Sequence, residues 1–345
     1  MAIATPVFEV VEPVRKTTMK AIVQDKYGSA EVLELRDIDK PGIGDHEVLV
    51  RVRAAGVNPA DWAITGGLPY IARPVYGGLR KPKNRVRGTD VAGEVEAVGA
   101  SVTRFRPGDE VFGWCTGAFA EYASVSEAAL ESLPTNLTFE QAAAVPMAGF
   151  VALQAIRDHG NVQAGQTVLV NGASGGIGTF AVQIAKSLGA EVTGVCSTGN
   201  VDMVRSIGAD RVIDYTREDF TRTGKPYDFI LDNVGNRSLS DLRRALTPAG
   251  MLVPNGGGFD NRWFASAGRL IRAMVSFGFV SQTLGRFLVS PKSEDLVVLR
   301  EFIEAGKVTP VIDRTYLLSE IPQAIDHVGG GHARGKVVIT MSDTR

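Results

Sequence analysis

Residues 166–189 read QTVLVNGASGGIGTFAVQIAKSLG, and this stretch decides the fold. The apolar run 168–170 predicts a short strand, and the apolar periodicity of 179–188 predicts a helix after the glycine turn. A strand, a glycine-rich turn and a helix in this order are typical of a unit that binds a dinucleotide. A glycine-rich turn that holds no ligand is the alternative interpretation.

The turn itself has a predicted role at the pyrophosphate of such a ligand. Gly175 lets the backbone approach closely, and Gly178 lets the helix pack on the strand without a Cβ between them. The N-terminus of the helix offers unpaired N–H groups and the positive end of its dipole. Ala173 stands at the first glycine position of the usual pattern, so the turn tolerates a methyl group there. The predicted phosphate-binding residues are Ala173, Ser174, Gly175, Gly176, Ile177 and Gly178.

The composition is that of an ordinary folded protein. The 345 residues suggest two domains, with 44% hydrophobic and 22% charged residues. A formal net charge of −1 gives no electrostatic reason to expect nucleic acid or an anionic membrane as partner. Two cysteines cannot build a disulfide framework, no apolar run is long enough to cross a bilayer, and the first 18 residues lack a signal-peptide layout. We therefore expect a cytoplasmic protein that does not insert stably into membranes.

Strand and helix signals divide the chain into β-rich ends and an α/β middle. Short Val-rich runs separated by Gly, Pro and Asp predict strands from residue 19 to about residue 144. From about residue 150, strands alternate with helices, which predicts a parallel sheet. The predicted strands are 167–171, 191–196, 211–214, 228–232, 250–254 and 309–313, with a last strand at 336–340. The predicted helices are 178–188, 200–207 and 238–246.

These signals predict an α/β fold in which a Rossmann doubly wound parallel sheet is inserted in a β-rich catalytic domain. The predicted divisions are an extension at 1–18, the catalytic domain at 19–149, the cofactor-binding domain at 150–309 and a return to the catalytic domain at 310–345. Segment 259–289 mixes aromatic residues with arginines. It predicts either a helix that covers a cleft or a subunit interface, or a basic amphipathic element on a membrane surface.

The end of the second strand of the α/β unit favours NADPH over NADH. An Asp or Glu about 20 residues after the glycine turn would bind the ribose hydroxyls of NAD, but residues 197–200 read Ser-Thr-Gly-Asn. Because this stretch contains no carboxylate, no side chain in it would repel a 2′-phosphate. The side chains of Ser197, Thr198 and Asn200 can donate hydrogen bonds to that phosphate. The predicted cofactor is therefore NADPH (NADP).

Several ordered motifs outside the glycine turn point to a family. They are AGVNPAD at 55–61, GTDVAGEV at 88–95, RPGDEV at 106–111, GAFAEY at 117–122 and GKVV at 335–338. With these motifs the chain resembles the medium-chain dehydrogenase/reductase superfamily, and within it the zinc-independent quinone oxidoreductases of the zeta-crystallin-like branch. Members of this branch are also named NAD(P)-dependent alcohol dehydrogenases. The resemblance implies a GroES-like β domain beside a Rossmann domain, an active site between them and, by analogy, a homodimer.

The same resemblance implies further cofactor contacts. Tyr215 is expected beside the adenosine phosphate, with a half-buried aromatic at a strand end as the alternative. Asn233 and Val234 are expected near the nicotinamide ribose. Residues implied to line the pocket are Gly256, Gly257 and Lys336.

Two positions that hold zinc in alcohol dehydrogenases of this superfamily carry other residues here. Those enzymes have a Cys ligand at the position of Asn58 and a His ligand at the position of Thr89. An amide and a hydroxyl cannot replace thiolate and imidazole as strong Zn²⁺ ligands. The lobe that holds a structural zinc on four cysteines is also missing. We therefore expect no metal at either place.

Without a metal, reduction of an enone or a quinone is the expected chemistry. Forming an alkoxide usually needs a Lewis acid or a Tyr/Lys relay, and no Tyr-x-x-x-Lys pattern occurs in the chain. Hydride addition to an α,β-unsaturated carbonyl or a quinone places charge on an oxygen that hydrogen-bond donors can stabilise. Asn58 is the best candidate donor, with Asp61 and Thr89 as neighbours. A turn cap is the alternative for Asn58.

The sequence thus predicts an NADPH-dependent oxidoreductase that transfers hydride to quinones or α,β-unsaturated carbonyls without a metal. Its expected partner is a small carbonyl or quinone substrate. Two alternatives stay open, an NADP-dependent alcohol dehydrogenase and a non-catalytic NADPH-binding sensor or partner protein.

Overall fold

The computed structural model describes residues 17–76, 78–255, 277, 281–285 and 289–341 of the chain. Residues 1–16, most of segment 259–289 and the predicted pocket residues Gly256 and Gly257 lie outside the described residues.

The described strands and helices follow the order of the chain. The strands are β1 (Thr18–Gln24), β2 (Leu33–Asp39), β3 (Glu47–Val57), β4 (Asp90–Val98), β5 (Glu110–Trp114), β6 (Tyr122–Ser126), β7 (Leu130–Ser132), β8 (Thr167–Asn171), β9 (Glu191–Cys196), β10 (Arg211–Asp214), β11 (Tyr227–Asp232), β12 (Leu246–Pro254), β13 (Thr283–Leu284), β14 (Ile312–Leu317) and β15 (Lys336–Thr340). The α-helices are α1 (Pro59–Thr65), α2 (Arg73–Tyr76), α3 (Phe139–Ala143), α4 (Pro146–Leu153), α5 (Gly176–Ser187), α6 (Val201–Ser206), α7 (Leu239–Arg244), α8 (Ser293–Glu304) and α9 (Ile321–Gly329). A π-helix (Gln154–His159) continues α4, and short 3₁₀ helices occupy Ala30–Val32, Tyr70–Ala72, Glu127–Ala129, Thr198–Asn200, Phe220–Arg222 and Leu318–Glu320.

Strands β8 to β13 form the predicted parallel sheet, in the order β10-β9-β8-β11-β12-β13. Counted from β8, this is the doubly wound order 3-2-1-4-5-6. Strands β8, β9 and β11 are buried along almost their whole length, as expected for a parallel sheet with helices on its faces. The order reverses between β8 and β11, so the ligand crevice of such a sheet lies beyond the carboxyl ends of these two strands.

A second sheet joins the two ends of the chain. Its order is β14-β15-β3-β4-β5-β7, with β6 also pairing with β3, while β1 and β2 form a separate antiparallel pair. Strand β15 runs antiparallel to the end of β3, with Val337 opposite Val57. The predicted last strand at 336–340 is therefore confirmed as part of the β-rich sheet.

One predicted strand is wrong in its place. The sequence predicts a strand at 309–313 that extends the alternating α/β region, but the strand is Ile312–Leu317 and it pairs in parallel with β15. An apolar sequence pattern indicates that a strand is buried but not which strand it pairs with. Here the partner is β15, which belongs to the β-rich sheet. The parallel strands predicted at 167–171, 191–196 and 211–214 have the observed bounds.

A continuous apolar core connects the two sheets. Buried Ala54 and Ala92 of the β-rich sheet belong to the same cluster as Phe150 and Phe180 of the α/β part. Helix α4 lies at this junction, and seven of its eight residues, all except Met147, are buried. A helix buried on all faces packs against neighbours on every side, so α4 holds the two walls of the crevice together.

Two glycines of the turn have different structural roles. A Cβ on Gly178 would collide with the carbonyl oxygen of Gly172, so close packing of α5 on β8 requires glycine there. A Cβ on Gly175 would meet only that same oxygen, at 3.5 Å, which is ordinary contact. The protein's own packing therefore does not require Gly175, and the space beside it is free for a ligand.

We predict that Gly178→Ala lowers the free energy of unfolding by about 1–3 kcal/mol, because overpacking forces the turn away from α5. Gly175→Ala is the matched control, with φ at −84° and an expected change within about 0.5 kcal/mol. Urea unfolding of the cofactor-free protein measures both. Equal midpoints for the two variants would contradict the packing role of Gly178.

Candidate functional site

The glycine turn opens toward the crevice at the point where the strand order reverses. Gly175 is the N-cap of α5, and no side chain caps this helix, so its first N–H groups are left for a ligand. Ser174, Gly176 and Ile177 are partly exposed. Ala173 is fully buried, and its N–H donates to the carbonyl oxygen of Val195 at 3.0 Å. Ala173 therefore supports the turn from behind and leaves ligand contact to its neighbours.

Three polar side chains beside the turn form what we call the ribose pocket: Ser174, Ser197 and Asn200. The Nδ2 of Asn200 lies 3.2 Å from the Oγ of Ser174 and 3.2 Å from the Oγ of Ser197. The Oδ1 of Asn200 is buried and has no hydrogen-bond partner among the described residues. Buried polar atoms are rarely left unpaired. This acceptor therefore fits a ligand hydroxyl.

Thr198, whose hydroxyl was predicted to donate a hydrogen bond to a 2′-phosphate, is hydrogen-bonded within the protein. Its hydroxyl donates to Oδ2 of Asp214 at 2.6 Å, and this bond lowers the pKa of Asp214. Asp214 ends β10, where parallel pairing sets it opposite Cys196 of β9. The carboxylate of Asp214 therefore lies beside the carboxyl end of β9, although residues 197–200 contain no carboxylate. It accepts the hydrogen bond from Thr198.

Arg334 reaches the ribose pocket from the C-terminal part of the chain. One guanidinium nitrogen, Nη2, lies 3.6 Å from the place where a Cβ of Gly199 would stand. The next residue, Gly335, donates its N–H to the carbonyl oxygen of Ser174 at 2.8 Å. Sequence reasoning missed Arg334, because its only local signal is a cation before the GKVV motif.

Tyr215 lies at the same edge of the sheet as the ribose pocket. Its N–H donates to the carbonyl oxygen of Cys196 at 3.0 Å, and 49% of the residue is exposed. With about half of the residue exposed, the ring is accessible to a ligand.

The carboxyl ends of β8 and β11 are joined across the crevice. Asn171 donates from Nδ2 to Oδ1 of Asp232 at 2.8 Å, and the N–H of Gly235 donates to the same oxygen at 2.9 Å. These bonds fix the loop that carries Asn233 and Val234. The Nδ2 of Asn233 is buried without a hydrogen-bond partner in the described part of the chain, and Val234 is 43% exposed. A free donor beside an apolar surface fits one end of a dinucleotide.

Three neighbouring strands bring Asn58, Asp90 and Lys336 together. Asn58 follows β3, while Asp90 begins β4 and Lys336 begins β15. The Nζ of Lys336 donates to Oδ1 of Asn58 at 2.6 Å and to Oδ2 of Asp90 at 3.1 Å. All three residues are buried, Asp90 completely. We call this group the buried network.

Both amide hydrogens of Asn58 are used in hydrogen bonds within the protein. Its Nδ2 donates to Oδ2 of Asp90 at 3.0 Å and to Oγ1 of Thr89 at 3.2 Å, which uses both hydrogens. The predicted donor therefore has no amide hydrogen left for a substrate oxygen. Thr89 is only partly buried, and after accepting this bond it keeps its own hydroxyl hydrogen. Thr89 can donate outward.

Asp61 lies against the backbone of Asn58 and is 1% exposed. Its Oδ2 accepts the N–H of Asn58 at 2.9 Å. Burial raises the pKa of Asp61 to about 6, and the hydrogen bond from Asn58 opposes this rise. These contacts make Asp61 a residue that positions Asn58.

The buried network and the glycine turn form one continuous site. Gly175 and Gly335 are joined by a parallel β-bridge. A Cβ on Gly176 would lie 3.0 Å from Cδ of Lys336. On the other side, Oδ1 of Asp90 accepts the N–H of Met147 at 3.1 Å, at the start of α4. Residues from both sheets therefore meet at the network.

Metal-ligating residues do not gather in the part of the chain that the structure describes. No three His, Cys, Asp or Glu residues lie close enough together there to hold an ion. The two cysteines are free thiols, and burial raises the pKa of Cys115 to about 12 and that of Cys196 to about 11. Among the described helices, none has the length and apolar character to cross a membrane.

Comparison with known proteins agrees with this architecture. The family described as alcohol dehydrogenase GroES-like domain matches residues 44–135, and the family described as zinc-binding dehydrogenase matches residues 207–339. The solved structure of the quinone oxidoreductase from Coxiella burnetii is 30% identical, with a TM-score of 0.81 over 94% of this chain and 99% of that chain.

Curated relatives extend over nearly the whole sequence. The mitochondrial NAD(P)H oxidoreductase RTN4IP1 of Bos taurus is 36% identical over 95% of this chain and 90% of its own length. The 2-methylene-furan-3-one reductase of Solanum lycopersicum is 32% identical over 93% of this chain and 79% of its own. A mitochondrial relative does not test the cytoplasmic expectation, which stays a prediction. The two sheets, the glycine turn and these similarities place the chain in the medium-chain dehydrogenase/reductase superfamily.

Proposed function

We propose that this protein is an NADPH-dependent oxidoreductase that reduces quinones or α,β-unsaturated carbonyls without a metal ion. The observation that carries the proposal is the Thr89 hydroxyl beside the buried network, because it keeps a hydrogen-bond donor at a position where zinc enzymes of this superfamily have a ligand. Relatives named quinone oxidoreductase and 2-methylene-furan-3-one reductase support this class of acceptor.

The residues at the crevice fit a nicotinamide dinucleotide. The open space at Gly175 and the uncapped N-terminus of α5 suit a pyrophosphate. The unpartnered Oδ1 of Asn200 and Nδ2 of Asn233 suit hydroxyl and amide groups at the two ends of the ligand. When bound, NADPH supplies a hydride.

The chain's own residues stabilise the charge that develops on the acceptor oxygen. The Thr89 hydroxyl donates a hydrogen bond to that oxygen, and Lys336 lends positive charge from behind. Asp90 and Asn58 hold Lys336 in position through the bonds of the buried network. Water then provides the proton that completes the reduced product.

Residue chemistry supports a metal-free mechanism. Asn58 and Thr89 are hydrogen-bonded to each other at 3.2 Å, and neither is a thiolate or an imidazole. The amide oxygen of Asn58 already accepts the short bond from Lys336. A cation at this place would have to compete with the Lys336 ammonium.

We predict that the protein consumes NADPH when a quinone or an enone is added, and that chelators leave the rate unchanged. Thr89→Val should lower turnover about 100–1000-fold without weakening NADPH binding, because it removes one oxyanion donor and keeps the side-chain shape. Loss of NADPH absorbance measures the rate, and Thr315→Val on β14 is the control. Stoichiometric zinc with oxidation of alcohols would favour an alcohol dehydrogenase, and tight NADPH binding without turnover would favour a sensor.

We propose that Arg334 and the ribose pocket give the protein a preference for NADPH over NADH. We predict that Arg334→Ala lowers kcat/KM for NADPH about tenfold, the value of one charge-assisted hydrogen bond, with little change for NADH. Arg314→Ala, which removes an exposed arginine of β14, should change neither. Steady-state kinetics with both cofactors measure the ratio. An unchanged ratio in Arg334→Ala would place the 2′-phosphate elsewhere.

Asp61 should make stability depend on pH in a defined window. Between its ordinary pKa of 3.8 and about 6, the unfolded chain has lost a proton that the folded chain keeps, so stability falls as pH rises. Asp61→Asn cannot ionise and still accepts the N–H of Asn58. We predict that the free energy of unfolding of this variant, relative to that of the wild type, rises by about 2 kcal/mol between about pH 4.5 and about pH 7.5. Urea unfolding at each pH measures this difference. For Asp202→Asn, at a fully exposed residue, the difference from the wild type should not change with pH.

A further inference from the structure

The segment between α1 and β4, residues 66–87, is flanked on both sides by elements that carry residues of the candidate site. Helix α1 begins directly after Asn58 and contains Asp61, and the segment leads back into Thr89 and Asp90. We call it loop 66–87. Any surface that binds this loop would therefore lie next to the crevice where the acceptor is reduced.

Polar bonds hold the base of loop 66–87 in place. The N–H of Gln24 donates to the carbonyl oxygen of Arg85 at 2.8 Å, and the hydroxyl of Tyr27 donates to that of Gly78 at 2.9 Å. The guanidinium of Arg73 stacks over the rings of Tyr27 and Tyr70, at 4.7 and 4.5 Å from their centroids. These contacts orient the outer side chains of the loop toward solvent.

The charge of loop 66–87 is entirely positive. It contains no Asp or Glu, and its cations are Arg73, Arg80, Lys81, Lys83, Arg85 and Arg87. Asp25 neutralises Arg85 at 2.6 Å. Arg80, Lys81 and Lys83 are exposed and have no ion-pair partner within the described residues. Since the whole chain has a net charge of −1, this is a local concentration of positive charge.

The same loop exposes two large aliphatic side chains. Leu79 is 68% exposed and Ile71 is 61% exposed, the highest values among the large apolar side chains that the structure describes. Leu79 directly precedes Arg80 and Lys81. An exposed apolar side chain next to unpaired cations, as at Leu79, is typical of proteins that bind at the interface of an anionic membrane. Nucleic acid is less well matched, because single-stranded bases stack on aromatic rings and these two side chains are aliphatic.

We propose that loop 66–87 docks the enzyme on an anionic phospholipid surface. Leu79 and Ile71 enter the boundary between headgroups and acyl chains, while Arg80, Lys81 and Lys83 contact the phosphates. This inference rests on the proposed function in one respect: docking sets the crevice beside the bilayer, where quinones with long apolar tails dissolve. The acceptor class is thereby narrowed to membrane-dissolved quinones.

The test is sedimentation of the full chain with vesicles. We expect binding to phosphatidylcholine vesicles that contain phosphatidylglycerol, no binding to phosphatidylcholine alone, and release by high salt. The triple variant Arg80→Glu, Lys81→Glu and Lys83→Glu should weaken binding at least about tenfold. A matched control reverses three exposed lysines elsewhere, Lys225, Lys292 and Lys307, and should bind like the wild type. Ile71→Ser with Leu79→Ser should weaken binding at unchanged charge.

Turnover assays separate this inference from the proposed function. With a short, water-soluble quinone the triple variant should equal the wild type, whereas with a long-chain quinone dissolved in anionic vesicles its rate should fall at least about fivefold. Absence of turnover with every acceptor, combined with vesicle binding, would overturn the function and leave the docking intact. Equal vesicle binding by the triple variant and wild type, equal binding to neutral vesicles, or binding to nucleic acid but not to vesicles would overturn the docking.

Discussion

The side-chain bond between Lys336 and Asn58 connects the start of β15 to the end of β3, beside the backbone pairing of these two strands. The two residues are 278 positions apart, and the Nζ–Oδ1 distance is 2.6 Å. Lys336 also pairs with the fully buried Asp90, whose charge would be costly without a partner. The neighbouring Gly335 bonds the glycine turn through Ser174. A single segment thus sets the distance between the glycine turn and the polar side chains of the buried network.

This arrangement explains how the proposed chemistry without a metal would be organised in the crevice. A metal ion orients its ligands by coordination, and here a buried ion pair and an amide do that work through hydrogen bonds. Asn58 accepts from Lys336 and donates to Asp90 and Thr89, so its side chain is fixed in one orientation. Thr89 is the member of the group that reaches the more exposed side.

The parts of the fold that local patterns determine could be predicted from the sequence. The strand, turn and helix around Gly175 follow from residues within a few positions of each other, and so do β9 and β10. The strand predicted at 309–313 was misplaced, because only the distant β15 decides which sheet Ile312–Leu317 joins.

Long-range pairing limited the site predictions in the same way. Residue types named Asn58 and Thr89 as members of the predicted site, and the family resemblance named Lys336. Neither source showed which of their hydrogens are already used within the protein. The parallel pairing of β9 and β10 places Asp214 next to Thr198. Arg334, from a separate segment, lies beside Gly199. Such contacts depend on the tertiary structure, so no short window of sequence contains them.

The return of β15 to β3 also has a consequence for biosynthesis. The edge of β3 from Ala54 to Val57 pairs with β15, so its hydrogen-bonding groups have no partner there while the ribosome is still making the intervening chain. An unpaired strand edge is open to association with other polypeptides. This edge of β3 is therefore open to association until β15 has been made, and a ribosome that stalls before residue 336 leaves a product in which the edge stays unpaired.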